Sequence, residues 1–111
     1  MKLKYISNKS KNKLDFDWDS QNFNRTALLN FIISCHHKKN KCNYLEIGCA
    51  SNINFDSICL TNKVGVDPDI GGTLRLTSDE FFNNNNSKFD LIFLDGLHTY
   101  EQTIKDIDNG L

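Results

Sequence analysis

Neither sign of charge dominates this 111-residue chain: 13 basic and 14 acidic side chains leave a net charge of −1. That balance gives no electrostatic case for a nucleic-acid partner or an anionic membrane surface. Long apolar runs are missing as well. The longest mostly apolar stretch runs from Ala27 to Cys35 and is broken by Asn30 and Ser34, well short of the ~20 residues that span a bilayer. Met1-Lys2-Leu3-Lys4-Tyr5 lacks the apolar core of a signal peptide, so a cytoplasmic protein is expected. Arginine is scarce, two against 11 lysines and 15 asparagines. The bias suggests an AT-rich coding sequence and says nothing about activity. No internal repeat is visible, and 12.7 kDa gives room for one modest core but not for two domains.

What is present, 39% hydrophobic and 24% charged residues, is the composition of one soluble globular domain. Residues 1–15, rich in Lys, Asn and Ser, are expected to form a flexible N-terminal arm, with Phe16 and Trp18 anchoring it to a domain over 16–111. The four cysteines, Cys35, Cys42, Cys49 and Cys59, are expected to be reduced: there is no secretory signal, and Cys49 and Cys59 sit in apolar contexts. Cys35-His36-His37 with Cys42 matches no standard zinc spacing and straddles a helix end and a strand start.

Apolar residues at Leu28, Ile32 and Cys35, with Ala27 and Phe31 beside them, predict a helix from about Asn22 to Lys39. The period then changes. Tyr44-Leu45-Glu46-Ile47 reads as a buried strand ending at Gly48. A helix over Asn54–Leu60 follows, with Phe55, Ile58 and Cys59 on one face, then a strand Val64-Gly65-Val66 and a short strand Leu74-Arg75-Leu76. Thr77 and Glu80 stand three apart as a capping box, and so do Thr99 and Gln102. Between those two helix starts lies the most apolar strand, Phe89–Leu94. The last helix carries Tyr100, Ile104, Ile107 and Leu111 on one face. Strands that alternate with helices and read as continuous apolar runs indicate a parallel α/β sheet covered on both faces.

Ligands of open parallel sheets bind beyond the carboxyl ends of the strands, and the chemistry-bearing residues cluster there. Glu46-Ile47-Gly48-Cys49-Ala50-Ser51-Asn52 ends the first strand, Asp67 the second, about 20 residues later, and Asp95 the last. An acidic residue about 20 positions past a glycine turn is placed to accept hydrogen bonds from ribose hydroxyls.

With these blocks the sequence resembles class I S-adenosylmethionine-dependent methyltransferases, in particular a small bacterial group with a Gly65-Val66-Asp67-Pro68 strand end. The likeness runs through Gly71-Gly72-Thr73 to Thr77-Ser78-Asp79-Glu80-Phe81-Phe82 and through Phe89 to Asp95-Gly96-Leu97-His98-Thr99-Tyr100-Glu101-Gln102. It implies a three-layer Rossmann-like fold, here truncated to about four parallel strands in the order 3-2-1-4. It also implies that S-adenosylmethionine is the cofactor. Glu46, Gly48, Cys49 and Ala50 would cradle its methionine part, and Asp67 would hold the ribose. Ser78 and Asp79 would lie near the adenine, and Asp95 would stand close to the sulfonium. His98 and Asp95 would be the catalytic residues, with His98 as general base toward a hydroxyl of a small molecule or sugar. A cationic ligand suits such a carboxylate-rich rim, whereas a pyrophosphate would be repelled by Glu46. Asp95 and His98 alone make too small a ligand set to assign a metal.

The chain departs from that family at two places. Ala50 and Asn52 stand where the turn usually has glycines, and asparagine tolerates the left-handed backbone such a turn needs. The family's sheet has seven strands, so Phe89–Leu94 is expected at an open edge, inviting a homo-oligomer through that strand or the C-terminal helix. The alternative to an enzyme is a truncated, catalytically silent cofactor-binding or assembly domain. A nicotinamide-dinucleotide fragment is disfavoured by Glu46 and by the lack of a three-glycine turn.

Overall fold

The computed structural model describes residues 24–36 and 41–111; the expected arm, its anchors Phe16 and Trp18, and His37 to Lys39 lie outside them. The element order is α1 (Arg25–His36), β1 (Tyr44–Ile47), α2 (Ile53–Ser57), β2 (Lys63–Val66), α3 (Ser78–Asn84), β3 (Leu91–Leu94) and α4 (Tyr100–Gly110). The three strands are parallel in the order β2-β1-β3. The protein is thus a small α/β domain with an open parallel sheet.

All four residues of the central strand β1 are buried, and pleating sends them alternately to two faces. Tyr44 joins Leu29, Ile33, Cys42, Cys49, Phe55, Ile58 and Leu60 in one core, beneath α1 and α2. Leu45 and Ile47 join Val66 and Phe81 in a second core, on the opposite face beneath α3. Register decides where the chemistry goes. Ile47 lies opposite Val66 on one side and Leu94 on the other, so the next residue of each strand, Gly48, Asp67 and Asp95, arrives at the same end of the sheet.

Four sequence expectations change. The third strand, Leu74-Arg75-Leu76, is only a single parallel bridge between Leu74 and Val66, on the outer side of β2 where that strand was expected. The sheet therefore has three strands rather than four. The ladder stops because Arg75 folds back onto the carbonyls of Ile70 and Gly71 and Thr77 then caps α3.

Helix α1 buries Leu29 and Ile33 and leaves Leu28, Phe31 and Cys35 exposed. Its apolar residues form two competing stripes, and hydrogen bonds to the next helix select one. Thr26 Oγ1 lies 2.7 Å from Asn54 Oδ1, and Asn30 donates to the Ser57 carbonyl and accepts from the Cys59 N–H.

Helix α2 ends at Ser57, and Cys59 is exposed. The Lys63 ammonium donates to the Phe55 and Ile58 carbonyls, at 2.7 and 3.1 Å, placing a cation at the negative helix end. All four cysteines are free thiols, with Cys42 and Cys49 buried.

The fourth change concerns α4. The Thr77–Glu80 capping box is complete, but Thr99–Gln102 is half of one. Thr99 Oγ1 accepts from the Gln102 N–H, while the Gln102 amide turns inward to Ser78, Asp79 and the buried Asp106. That polar side docks α4 on α3, so the apolar stripe faces outward, with Tyr100 78%, Ile104 42% and Ile107 42% exposed. No helix among the described residues is long and apolar enough to cross a membrane.

Candidate functional site

A cavity of about 710 Å³ opens at the carboxyl ends of the strands. Gly48, Ala50, Asp67, Ser78, Asp79, Asp95 and His98, all expected at the site, line it together. Ile70 and Leu97 add exposed apolar surface to it. Glu46 and Cys49 stand behind the turn instead, with their side chains in the α1–α2 layer.

The turn after β1 carries three left-handed residues, Gly48 (φ 86°), Ala50 (φ 45°) and Asn52 (φ 66°). At Gly48 glycine is required twice over. The backbone is left-handed, and a Cβ there would fall 2.2 Å from the Asp95 carbonyl oxygen. Ala50 adopts a conformation that costs roughly 1–2 kcal/mol, offset by its N–H, which donates to Asp67 Oδ2 at 2.8 Å. Asn52 does more than tolerate its backbone. Its side-chain oxygen accepts from the Gly72 N–H at 2.7 Å, fastening the β1 turn to the loop after β2.

Asp67 is buried and accepts three backbone N–H groups, from Ala50 on Oδ2 and from Asp69 and Ile70 on Oδ1, at 2.8 to 3.0 Å. Burial alone would raise its pKa. The three amides, with the Arg75 charge nearby, overcome that and hold it below the usual carboxylate value. A carboxylate accepts about four hydrogen bonds, so about one acceptor position is left for a ligand. Asp67 is first a clamp between two turns. Arg75 completes the clamp: its guanidinium donates to the Ile70, Gly71 and Asp67 carbonyls and lies 3.8 Å from Asp67 Oδ1.

Glu46 is 1% exposed. Its Oε2 accepts from the Tyr44 hydroxyl at 2.7 Å and the Asn54 amide at 2.8 Å. Burial raises its pKa in spite of these two donors, and raises that of Tyr44 as well. The Cys49 thiol is pushed up to about 12, first by burial and then by the charges of Glu46 and Asp67, so it stays a neutral core group and not a nucleophile.

Asp95 differs in kind. Arg25, the first residue of α1, forms an ion pair with its Oδ2, and His98 Nε2 lies 3.4 Å from Oδ1. Asp79, also in the lining, is held by Lys105 and Gln102, whose hydrogen bonds lower its pKa. The lining thus carries four carboxylates (Asp67, Asp69, Asp79, Asp95), one histidine, and no lysine or arginine. Among the described residues no group of three His, Cys, Asp or Glu could hold a metal ion.

Neither Arg25 nor Arg75 was assigned a part in the site from the sequence. A signal was there. The chain has only two arginines beside 11 lysines, and both sit on strand-end aspartates, where a rigid, always-charged fork serves better than an ammonium. No family model, curated protein or solved structure matches this chain.

Proposed function

We propose that this chain is an S-adenosylmethionine-binding domain of the methyltransferase type that acts on a hydroxyl of a small molecule or sugar. The observation that carries the reading is the lining of the cavity at the carboxyl ends of parallel strands: four carboxylates line it, while the cations that pair with three of them, Arg25, Arg75 and Lys105, are not part of the lining. Such a wall favours a ligand that bears positive charge and an ammonium, and disfavours a polyphosphate. The volume, about 710 Å³, lies within the ~300–1,000 Å³ of small-molecule sites. Bound there, S-adenosylmethionine supplies an electrophilic methyl group.

The chain's own residues then have these tasks. Asp67 offers its remaining acceptor position to a ribose hydroxyl, and the Thr77–Asp79 corner borders the base. Gly48 lets the main chain close on the ligand. Asp95 gives a negative wall and steadies His98, whose imidazole accepts the proton of the acceptor hydroxyl. Positioning two reactants supplies most of the rate.

The test is calorimetry with S-adenosylmethionine, its demethylated product and a nicotinamide dinucleotide. Binding of the first two and not the third is expected; no binding of the first two overturns the reading.

A second reading, a cofactor-binding or assembly domain without methyl transfer, is favoured by the outward apolar stripe of α4 and by β3, which forms an edge of the sheet.

A further inference from the structure

Arg25 is not part of the cavity lining, yet it pairs with a carboxylate that is. It reaches Asp95 from the first turn of α1, while Asp95 itself lines the cavity. Behind both stands buried Glu46, close enough for its ionisation to feel the Asp95 and Arg25 charges. Arg25 is thus the cation of a cluster that holds the Asp95 and Glu46 carboxyl groups. Removing the positive member would leave the Asp95 carboxylate without its guanidinium partner beside the cavity.

Resting on the reading above, we infer that Arg25 sets the charge selectivity of the cavity: by neutralising Asp95 it limits the preference for a positively charged ligand over the neutral product. The physical basis is general. A carboxylate engaged by a guanidinium presents a weaker field to a second cation than a free one. The ion pair is 62% exposed on the arginine side, so it is a screened and exchangeable contact rather than a fixed part of the core. Its strength falls in the range where loss or gain is read as a few-fold change in affinity. For a methyl-transfer site the consequence is useful. S-adenosylmethionine carries a sulfonium charge that its demethylated product lacks, so any change in the field at Asp95 alters the first affinity more than the second.

The experiment measures dissociation constants of S-adenosylmethionine and of the demethylated product for wild type, Arg25→Gln and Arg25→Lys at low salt. In Arg25→Gln the ratio of product to S-adenosylmethionine dissociation constants should rise about two- to fivefold, mostly through tighter binding of the charged ligand. Arg25→Lys keeps the charge and should keep the ratio. The gain should shrink at 0.5 M salt, where the Debye length falls to about 4–5 Å. An unchanged or lower ratio in Arg25→Gln overturns the inference. Equal weakening of both ligands does so too, because it would make Arg25 an anchor for their common carboxylate. Loss of the helical signal in Arg25→Gln would make the residue structural and overturn it as well. Wild type binding neither ligand would instead overturn the functional reading on which this one rests.

Discussion

The ends of β2 and β3 each present an aspartate to the same cavity, and the two are held in opposite ways. Asp67 is buried and tied by backbone amides from two turns. Asp95 is partly exposed and held by the tips of two long side chains, Arg25 and His98. Backbone donors cannot move without unfolding the turns that carry them, whereas exposed side chains exchange on the ps–ns scale. The β2 end is therefore architecture with one acceptor position to spare. The β3 end is a charge whose partners can be exchanged. A carboxylate at a strand end is not one kind of site, and what it accepts from its own chain decides what it can offer a ligand.

The variant expected to do most damage is Gly48→Ala, in the turn after β1 that lies against the β3 end. Its methyl would meet the Asp95 carbonyl at 2.2 Å in a left-handed backbone. Strain and overpacking together should cost about 2–5 kcal/mol, a large part of the stability of a domain this size. Urea denaturation followed by far-UV circular dichroism should show a collapsed midpoint. A midpoint within experimental error of wild type would mean that the two strand ends do not press on each other.

Next in size comes Asp67→Asn, which keeps the shape and removes the charge that three amides share. We expect a loss of about 2–3 kcal/mol at neutral pH. The sign with pH follows from linkage. Asp67 has a folded pKa below its ordinary 3.8, so its contribution is present above that value and fades as pH falls through the folded pKa. Wild type and variant should differ most at pH 7 and converge as pH falls below 3.8 through the folded pKa. Glu46 works the other way. Its pKa is raised above 4.5 by burial, so its contribution is complete below 4.5 and is lost as pH rises through the raised value. Glu46→Gln should therefore flatten the alkaline side of the stability profile while leaving the acid side intact. Parallel profiles for wild type and Asp67→Asn would remove the charged clamp from the account.

Arg75→Lys probes the same clamp more gently. The ammonium cannot reach the Ile70, Gly71 and Asp67 carbonyls together as the guanidinium does, and a loss of about 1 kcal/mol is expected in the same denaturation assay. No loss would show that the loop after β2 holds itself.

The contrast between the two ends also explains what could be read from the sequence. The β2 end was legible because its logic is local or nearly so. A strand run ending in Gly48 and an acid at Asp67 are short-range patterns, and the Thr77–Glu80 box names its own helix start. The clamp was not legible, since it needs Ala50 and Asn52 to meet Asp67 and Gly72 across about 20 residues of chain. At the β3 end the run Phe89–Leu94 announced the strand, which begins two residues later, at Leu91, but Arg25 lies 70 positions from the carboxylate it pairs with. The face of α1 was misread as well: Leu28, Ile32 and Cys35 share helical spacing, yet the helix buries Leu29 and Ile33. Side-chain bonds of Thr26 and Asn30 to the neighbouring helix settled it. Leu74–Leu76 had the composition of a strand and failed as one because Arg75 was needed elsewhere.

The smallest expected change in fold stability belongs to α4, where the β3 end is most open. Ile104 and Ile107 are each 42% exposed, so Ile104→Lys with Ile107→Lys should leave stability within about 0.5 kcal/mol. The effect on assembly should be larger. Strand β3 is an edge of half-buried, uncharged residues, and beside it α4 offers an apolar stripe; a second copy could cover both through one twofold axis. Sedimentation at micromolar concentration should find wild type heavier than 12.7 kDa and the double variant lighter than wild type. A wild type that sediments as a single copy and binds no hydrophobic dye would show that this surface stays with its own chain. The openness of the β3 end would then be a property of the Asp95 site alone.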